Sequence, residues 1–335
     1  MNNLLKKTIR IIDVNLNRAT EGLRVVEELC RFVLEDQKLT LSIKKLRGEL
    51  SRVVKPELRS RDAAGDVGKE PYTRDEGRRA NVEEIFRANM KRAQEAVRCL
   101  EEFSKLIRPK LGQKFKQIRF SLYELEKVVT PKIIKTTKLD FDLYVIVDSS
   151  AASFRVFRKA IAGGVKIIQF RDKDISKQKY LRLAKKLVKL TRRAGTTFIL
   201  NDHWDLVNEV GADGVHLGQD DFKKVGLRKL RKELGEEAII GISASNLSEA
   251  MRAQRRGADY VGVGPIFSTP IKAELKPLGT KLLAKIVKRT KIPVVAIGGI
   301  DRTNVNKVRQ AGCRRVAVIR AAHELIGYRS SVIIG

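Results

Sequence analysis

The sequence predicts an α/β protein: a (β/α)8 barrel of the TIM type, preceded by an all-α domain that contains an internal duplication. Three observations carry this. Eight short runs of mostly apolar, often branched residues recur, at 143–147, within 167–173, and at 196–200, 213–217, 238–242, 259–263, 293–297 and 314–319, with amphipathic or small-residue-rich segments between most of them. Polar residues follow successive runs, as they do at the carboxyl rim of a parallel barrel. Residues 1–126 carry hardly any strand pattern and repeat themselves instead. The expected organisation is a helical domain at 1–126, a linker at 127–141, the barrel at 142–327 and a tail at 328–335.

In chain order, residues 12–33 have apolar residues at helical spacing. Asn15, Arg18, Ala19, Glu21, Arg24, Glu27 and Glu28 return as Asn89, Arg92, Ala93, Glu95, Arg98, Glu101 and Glu102. After a gap, Lys44, Leu46 and Arg47 match Lys116, Ile118 and Arg119. A duplicated helical pair accounts for this, because two such units can bury their apolar stripes against each other in a bundle of four or slightly more helices. Arg18, Glu21 and Arg24 fall three apart on one flank, as do Arg92, Glu95 and Arg98. That spacing suits an ion-pair lattice at the seam between repeats, or an anionic ligand site. The loop 60–70 holds Arg61, Asp62 and Asp66 and a Gly-Lys pair, without the spacing of a nucleotide phosphate-binding loop. It suits a connector or a ligand-contacting loop. In 127–141 the proline and threonines interrupt the helical period, which predicts the linker.

Composition narrows the functional classes. With 335 residues, 43% hydrophobic and 32% charged, the chain suits one large or two modest folded domains. No stretch has the uninterrupted apolar length of a spanning helix, and the first residues lack the features of a secretory signal, so a cytoplasmic protein is expected. Cys30, Cys99 and Cys313 are scattered and odd in number, unlike a disulfide set or a zinc site. The net charge of +30 permits RNA, membranes or phosphorylated small molecules as partners and chooses none; a solvated basic surface is the plain alternative. Aromatics are only 6% of residues and are not interleaved with basic ones, which argues against a dedicated nucleic-acid binder.

The candidate chemistry lies where strands end. Ile167-Ile-Gln-Phe-Arg-Asp-Lys173 supplies Gln169, Arg171 and Lys173 before a helix expected to start near Ser176. Asn201 and Asp202 follow the third run, His216 and Gln219 to Asp221 the fourth, and Ser243 the fifth. Gly264, Thr269 and Lys272 follow the sixth, Gly298 and Gly299 the seventh, and Arg320 the eighth. Asp202 with Asp221 could hold Mg2+, which prefers oxygen ligands and keeps waters or phosphates in its shell. Arg171 and Lys173 could neutralise phosphate oxygens, with Lys272 as a mobile third charge. At Gly298-Gly299, before Thr303, a phosphate could approach backbone N–H groups at a helix start. Taken singly, each has a plainer reading: an Asn-Asp turn, a tight Gly-Gly connection, Asp221 capping a helix from 222, His216 as a packed residue or supporting donor. Recurrence at consecutive strand ends gives the set its weight.

These motifs resemble the thiamine-phosphate synthase (thiamine-phosphate pyrophosphorylase) family. They are Gln169-Phe-Arg-Asp-Lys173, Asn201-Asp202, Val215-His-Leu-Gly-Gln-Asp-Asp221, Gly241-Ile-Ser243, Gly262-Val-Gly-Pro-Ile-Phe-Ser-Thr269, Lys272 and Ile297-Gly-Gly-Ile300, in the family's order across nearly all of 143–322. The resemblance implies a magnesium-dependent barrel transferase of thiamine biosynthesis. It would join 4-amino-5-hydroxymethyl-2-methylpyrimidine diphosphate to 4-methyl-5-(2-phosphoethyl)thiazole and release diphosphate, reacting dissociatively through a pyrimidine methyl cation. Carried over, Gln169, Arg171, Lys173, Asn201, Ser243 and Lys272 would bind the pyrimidine diphosphate, with Arg171, Lys173, Ser243 and Lys272 acting in catalysis. Asp202 and Asp221 would hold magnesium. Thr269, Gly298 and Gly299, with the backbone of Ile319 and Arg320, would receive the thiazole phosphate. The sequence departs from the family at Ser243-Ala-Ser-Asn246, Ile271, Ala296 and Arg320.

The helical half resembles the domain fused to this synthase in some bacteria, through Asn15-Leu-Asn-Arg-Ala-Thr-Glu-Gly-Leu-Arg24 and Ser60-Arg-Asp-Ala-Ala-Gly-Asp-Val-Gly68. That implies a hydroxymethylpyrimidine-phosphate kinase using ATP, so the chain would be a multifunctional enzyme. Arg18, Glu21, Arg61, Asp62 and Asp66 are the ligand candidates there, and a stabilising or dimerising bundle is the structural alternative. A homodimer is compatible with the sequence. Two rivals for the whole chain stay open: a non-catalytic, phosphate-ligand-binding or regulatory barrel, and a basic nucleic-acid-binding protein.

Overall fold

A computed structural model describes residues 3–53, 78–270 and 274–328. The chain forms two compact units, Met1–Thr137 and Lys138–Gly335.

In the first unit, α1 (Asn3–Glu28) ends in a short π-helical turn, Leu29–Val33, and is followed by α2 (Gln37–Val53), α3 (Val82–Ser104) and α4 (Pro109–Lys138). Their apolar stripes meet in one core that includes Ile12, Leu23, Phe86, Met90, Phe115 and Leu122. The first helix can lie close against the third because Ala19, Gly22, Ala93 and Ala96 are small and buried. A Cβ on Gly22 would stand 2.8 Å from the carbonyl oxygen of Asn89. Asn81 caps α3, accepting from the N–H of Glu84.

The segment 127–141, expected as a linker, is helical as far as Lys138. Pro131 costs the helix one backbone donor. Burial of Leu122, Leu125, Val129 and Ile133 at helical spacing carries α4 through it, so packing overrides the local breaker. The loop 60–70, with Arg61, Asp62 and Asp66, lies outside the described residues, as does the tail beyond Tyr328.

The second unit is a closed, all-parallel barrel in the order β1-β2-β3-β4-β5-β6-β7-β8. The strands are β1 (Leu143–Val147), β2 (Ile167–Phe170), β3 (Thr197–Asn201), β4 (Gly214–Leu217), β5 (Ile239–Ala244), β6 (Tyr260–Val263), β7 (Val294–Ile297) and β8 (Arg315–Val318). Between them run α5 (Ala151–Ala162), α6 (Lys177–Arg193), α7 (Val207–Val210), α8 (Gln219–Val225), α9 (Leu227–Leu234), α10 (Leu247–Arg256), α11 (Gly279–Arg289) and α12 (Val305–Gln310), and α13 (Ala322–Leu325) follows the last strand. Ser176 caps α6, where the sequence placed the start of that helix.

Alternation along each strand divides the apolar residues into two layers. Val145, Val147, Ile168, Phe170 and Phe198 face the helices, and Tyr144, Ile146, Ile167, Ile199, Ile239, Tyr260, Val295 and Ala317 fill the barrel interior. Burial on both faces explains why the strands read as unbroken apolar runs. Among the described residues no helix is long and apolar enough to cross a membrane.

Candidate functional site

A cavity of about 390 Å³ opens at the carboxyl ends of the strands. Gln169, Arg171, Lys173, Asn201, Asp202 and Ser243 line one side. Thr269, Gly298, Gly299, Ile319 and Arg320 line the other. Eleven predicted residues from β2, β3, β5, β6, β7 and β8 and their following loops thus share one space. Lys272 and Ile271 lie outside the described residues.

The basic pair is set by the turn after β2. Arg171 N–H donates to Val147 O at 2.8 Å, continuing the ladder one residue beyond the strand. Asp172 turns the chain, accepting from the N–H groups of Ser149 (2.9 Å) and Asp174 (3.0 Å). Burial alone would raise the Asp172 pKa, but these bonds hold it below the usual carboxylate value. Lys173 Nζ lies 3.5 Å from Asp202 Oδ2, so cation and carboxylate from adjacent strand ends meet at the mouth.

Asp202 adopts φ +61°, a left-handed conformation that Asp and Asn tolerate better than most residues. Its N–H donates to His216 O at 2.9 Å, tying the end of β3 to β4. Tyr180 on α6 braces the same region from behind, donating to Phe170 O at 2.7 Å and accepting from Asn201 N–H at 3.2 Å.

Asp221 differs from expectation in two ways. The helix after β4 starts at Gln219 with Gly218 as its cap, so Asp221 lies inside the first turn and is not the cap of a helix from 222. Nor does it line the cavity; its Oδ2 is 3.9 Å from where a Cβ on the cavity-lining Gly218 would stand. The helix after Gly298-Gly299 likewise begins late, at Val305, and Thr303 belongs to a turn in which Asp301 accepts from its N–H and hydroxyl. Gly298 and Gly299 have φ values of +97° and +64°, and their carbonyls are taken by Phe267 N–H and Asn304 Nδ2.

The donor set suits a hard divalent cation. Among the described residues no group of three His, Cys, Asp or Glu side chains could enclose a metal. Of the two predicted carboxylates only Asp202 lines the cavity, beside the basic Arg171 and Lys173, which is compatible with an Mg2+ held by one or two protein oxygens plus waters and substrate oxygens.

The cavity floor was not singled out in the sequence. Tyr144, Ile146, Tyr260, Val295 and Ala317 form it, with Tyr144 and Tyr260 at 2% and 0% exposure. A hydrogen-bonded row crosses it from Gln169 Nε2 to Tyr144 OH (2.9 Å), Tyr260 OH (3.0 Å), His216 Nδ1 (2.9 Å) and, from His216 Nε2, to Ser243 Oγ (3.0 Å). His216 is therefore a supporting group in the site as well as a packed one. Strand alternation was the available signal, since Tyr144 shares the inward face with Ile146. The arrangement offers a flat, largely apolar floor beneath a rim of cations and hydrogen-bond donors. It fits a planar heterocycle that carries a phosphorylated group.

In the N-terminal unit, Arg18 and Glu21 are exposed, with no ion pair among the described residues. The ion pairs run within each repeat and not at the seam expected between them: Arg24 reaches Glu27 and Glu28 along α1, and Arg98 reaches Glu101 and Glu102 along α3.

The family model described as thiamine monophosphate synthase matches residues 143–322, and that described as the ThiD2 family matches residues 10–128. A Synechocystis protein named thiamine-phosphate synthase is 41% identical over 94% of this chain and 91% of its own length. Another of that name, from Nostoc punctiforme, is 41% identical over 93% of this chain and 88% of its own. Among solved structures, the thiamine phosphate pyrophosphorylase from Pyrococcus furiosus is 35% identical, with a TM-score of 0.50, over 58% of this chain and 91% of that one.

Proposed function

The chain belongs to the thiamine-phosphate synthase family, and from that premise we infer that its barrel condenses 4-amino-5-hydroxymethyl-2-methylpyrimidine diphosphate with 4-methyl-5-(2-phosphoethyl)thiazole. The observation that carries the reading is the cationic rim of Arg171, Lys173 and Arg320 over a tyrosine-lined floor in one cavity. The pyrimidine ring would lie on the floor, with Gln169 and Asn201 beside it and its diphosphate at Arg171, Lys173, Ser243 and Lys272. The thiazole phosphate would rest against Thr269, the Gly298-Gly299 turn and the backbone of Ile319 and Arg320.

In the reaction the methylene carbon–oxygen bond breaks and the electron pair leaves with diphosphate. The thiazole nitrogen lone pair then forms the new bond to that carbon. The barrier is charge separation, so fixed cations near the leaving oxygen act where charge develops. Arg171 is suited to bidentate contact with phosphate oxygens, and Lys173 adds a point charge held in place by Asp202. Asp202 and Asp221 would hold Mg2+, which when bound would neutralise diphosphate oxygens. No general base is required, because the attacking nitrogen carries no proton. The apolar floor keeps water from the methylene carbon.

The helical unit is read as a hydroxymethylpyrimidine-phosphate kinase that uses ATP and supplies the diphosphate, a reading supported by the match to the ThiD2 family over residues 10–128. One experiment tests both halves. Thiamine phosphate formation by the full-length protein is measured with magnesium, thiazole phosphate and either the pyrimidine diphosphate, or its monophosphate plus ATP. Product from both supports both readings. Product from the diphosphate alone sinks the kinase, and product from neither sinks the synthase.

A further inference from the structure

The hydrogen-bonded row on the barrel floor has a direction, and the direction follows from counting protons. Tyr144 OH has two partners, Gln169 Nε2 and Tyr260 OH. The amide nitrogen can only donate, so Tyr144 accepts from it and must send its own proton to Tyr260. Tyr260 OH, likewise with two partners, then accepts from Tyr144 and must donate to Nδ1 of His216. Both phenols are buried, so a proton without an acceptor would be costly there. The same count disfavours a proton on Nδ1, because with the Gln169 amide also donating, one phenol proton of the tyrosine pair would be left without an acceptor.

We propose that Gln169, Tyr144, Tyr260, His216 and Ser243 form a one-way hydrogen-bond chain that fixes His216 as the neutral Nε2–H tautomer and commits the Ser243 hydroxyl to donate into the cavity. Nε2–H donates to Ser243 Oγ at 3.0 Å, so the hydroxyl proton is turned away from the histidine. At the other end, the Gln169 amide spends Nε2 on Tyr144 and keeps Oε1 as an acceptor at the cavity wall. The chain therefore presents one acceptor and one donor, on β2 and β5, that cannot exchange roles without reversing every bond between them. Resting on the function proposed above, the acceptor suits the amino group of the pyrimidine and the donor suits an oxygen of the departing diphosphate. Tyr144, Tyr260 and His216 are positioning residues, acting through Gln169 and Ser243. Burial pushes both phenol pKa values well above the usual range, so neither tyrosine ionises to break the chain.

The packing supports a built device. Gly241 pairs with Tyr260 across β5 and β6, and a Cβ there would stand 2.0 Å from Tyr260 Cζ, so the ring occupies space that only glycine leaves. On the carbonyl side of Ser243, Gln219 Nε2 donates to Ser243 O, and Arg252 holds Gln219 at 3.1 Å.

The test uses the full-length protein with 15N-labelled histidine, in the wild type and in Tyr144→Phe, Tyr260→Phe and the double variant. The wild type is expected to show protonated-type Nε2 and unprotonated-type Nδ1 for His216 in the absence of substrate. Either phenylalanine is expected to disturb that pattern, Tyr144→Phe from two bonds away. In turnover, each single change is expected to lower kcat about tenfold, the equivalent of ~1.4 kcal/mol, with KM within about twofold. The double variant is expected to be little worse than the worse single, because one chain can be broken only once. An Nδ1–H tautomer or an imidazolium in the wild type overturns the proposal, as does a His216 spectrum indifferent to Tyr144→Phe, or losses that multiply in the double variant. The spectra stand without turnover, so an inactive wild type would count against the synthase reading, and the histidine signals alone would then decide for or against the one-way chain.

Discussion

Arg119 donates from Nε to Oε2 of the buried Glu101 at 2.8 Å. Arg47 makes the same bond to Glu27 at the same distance, and Arg24 and Arg98 flank the two carboxylates in the same way. The sequence repeat is thus an ion-pair repeat, joining the first helix of each pair to the second. Arg119→Ala removes one of two cations from a carboxylate that is 4% exposed. Loss of a sole partner from a buried pair costs about 3–5 kcal/mol; with Arg98 still present, about 2 kcal/mol is expected, read as a lower denaturant midpoint for the helical unit.

The same carboxylate predicts a pH dependence. Burial by itself would raise the Glu101 pKa, but the hydrogen bond and charge of Arg119, with Arg98, hold it below the ordinary value of 4.5. The folded state therefore binds this proton less readily than the unfolded chain. The stabilisation is full above pH 4.5 and is lost as pH falls below it. Acid titration of unfolding should show this loss in the wild type and a shallower one in Arg119→Ala. An unchanged slope would remove Glu101 from the account.

Gly241→Ala tests the fit of the floor. The new methyl group would meet the Tyr260 ring inside a closed barrel, where neither strand can move aside. Overpacking of this kind costs about 1–3 kcal/mol. Melting temperature should fall, and kcat should fall with it because Tyr260 carries the link to His216. A stable variant with full activity would show that the ring can relocate freely.

Tyr180→Phe separates support of the rim from its chemistry. Its hydroxyl joins Phe170 O to Asn201 N–H behind the cavity, and both are left without that partner in the variant. A stability loss of about 1–3 kcal/mol is expected. Weaker binding of the pyrimidine diphosphate should accompany it, because Asn201 and Asp202 lose their brace. Calorimetric titration and thermal unfolding together would detect a change in one without the other.

Much of this was legible beforehand, for identifiable reasons. Strands buried on both faces write themselves as apolar runs, so all eight were visible, and the rim residues followed from where the runs stop. The extension of α4 through Pro131 was hidden because the proline is a local signal, while the burial of Ile133 is settled by the rest of the bundle. The expected cap at Asp221 falls three residues late, because Gly218, which has no capping side chain, is the residue before α8. The link between Gln169 and Ser243 was hidden most deeply. It depends on side chains from five strands, and no spacing along the chain encodes that Tyr144 and Tyr260 meet 116 residues apart.

The two aspartates give the sharpest test of the metal reading. Asp202→Asn keeps a residue that tolerates φ +61°, so the turn should survive while the charge is lost. Asp221→Asn changes a group just behind the cavity wall, in the first turn of α8. If both hold Mg2+ beside the diphosphate, each variant should lose about 10² in kcat/KM and need more magnesium for half-maximal rate. Asp202→Asn should also free Lys173 from its partner and change the ionic-strength dependence of donor binding. An Asp221→Asn enzyme with an unaltered magnesium requirement would leave Asp202 as the single protein carboxylate on the ion and reduce Asp221 to a favourable charge at a helix start.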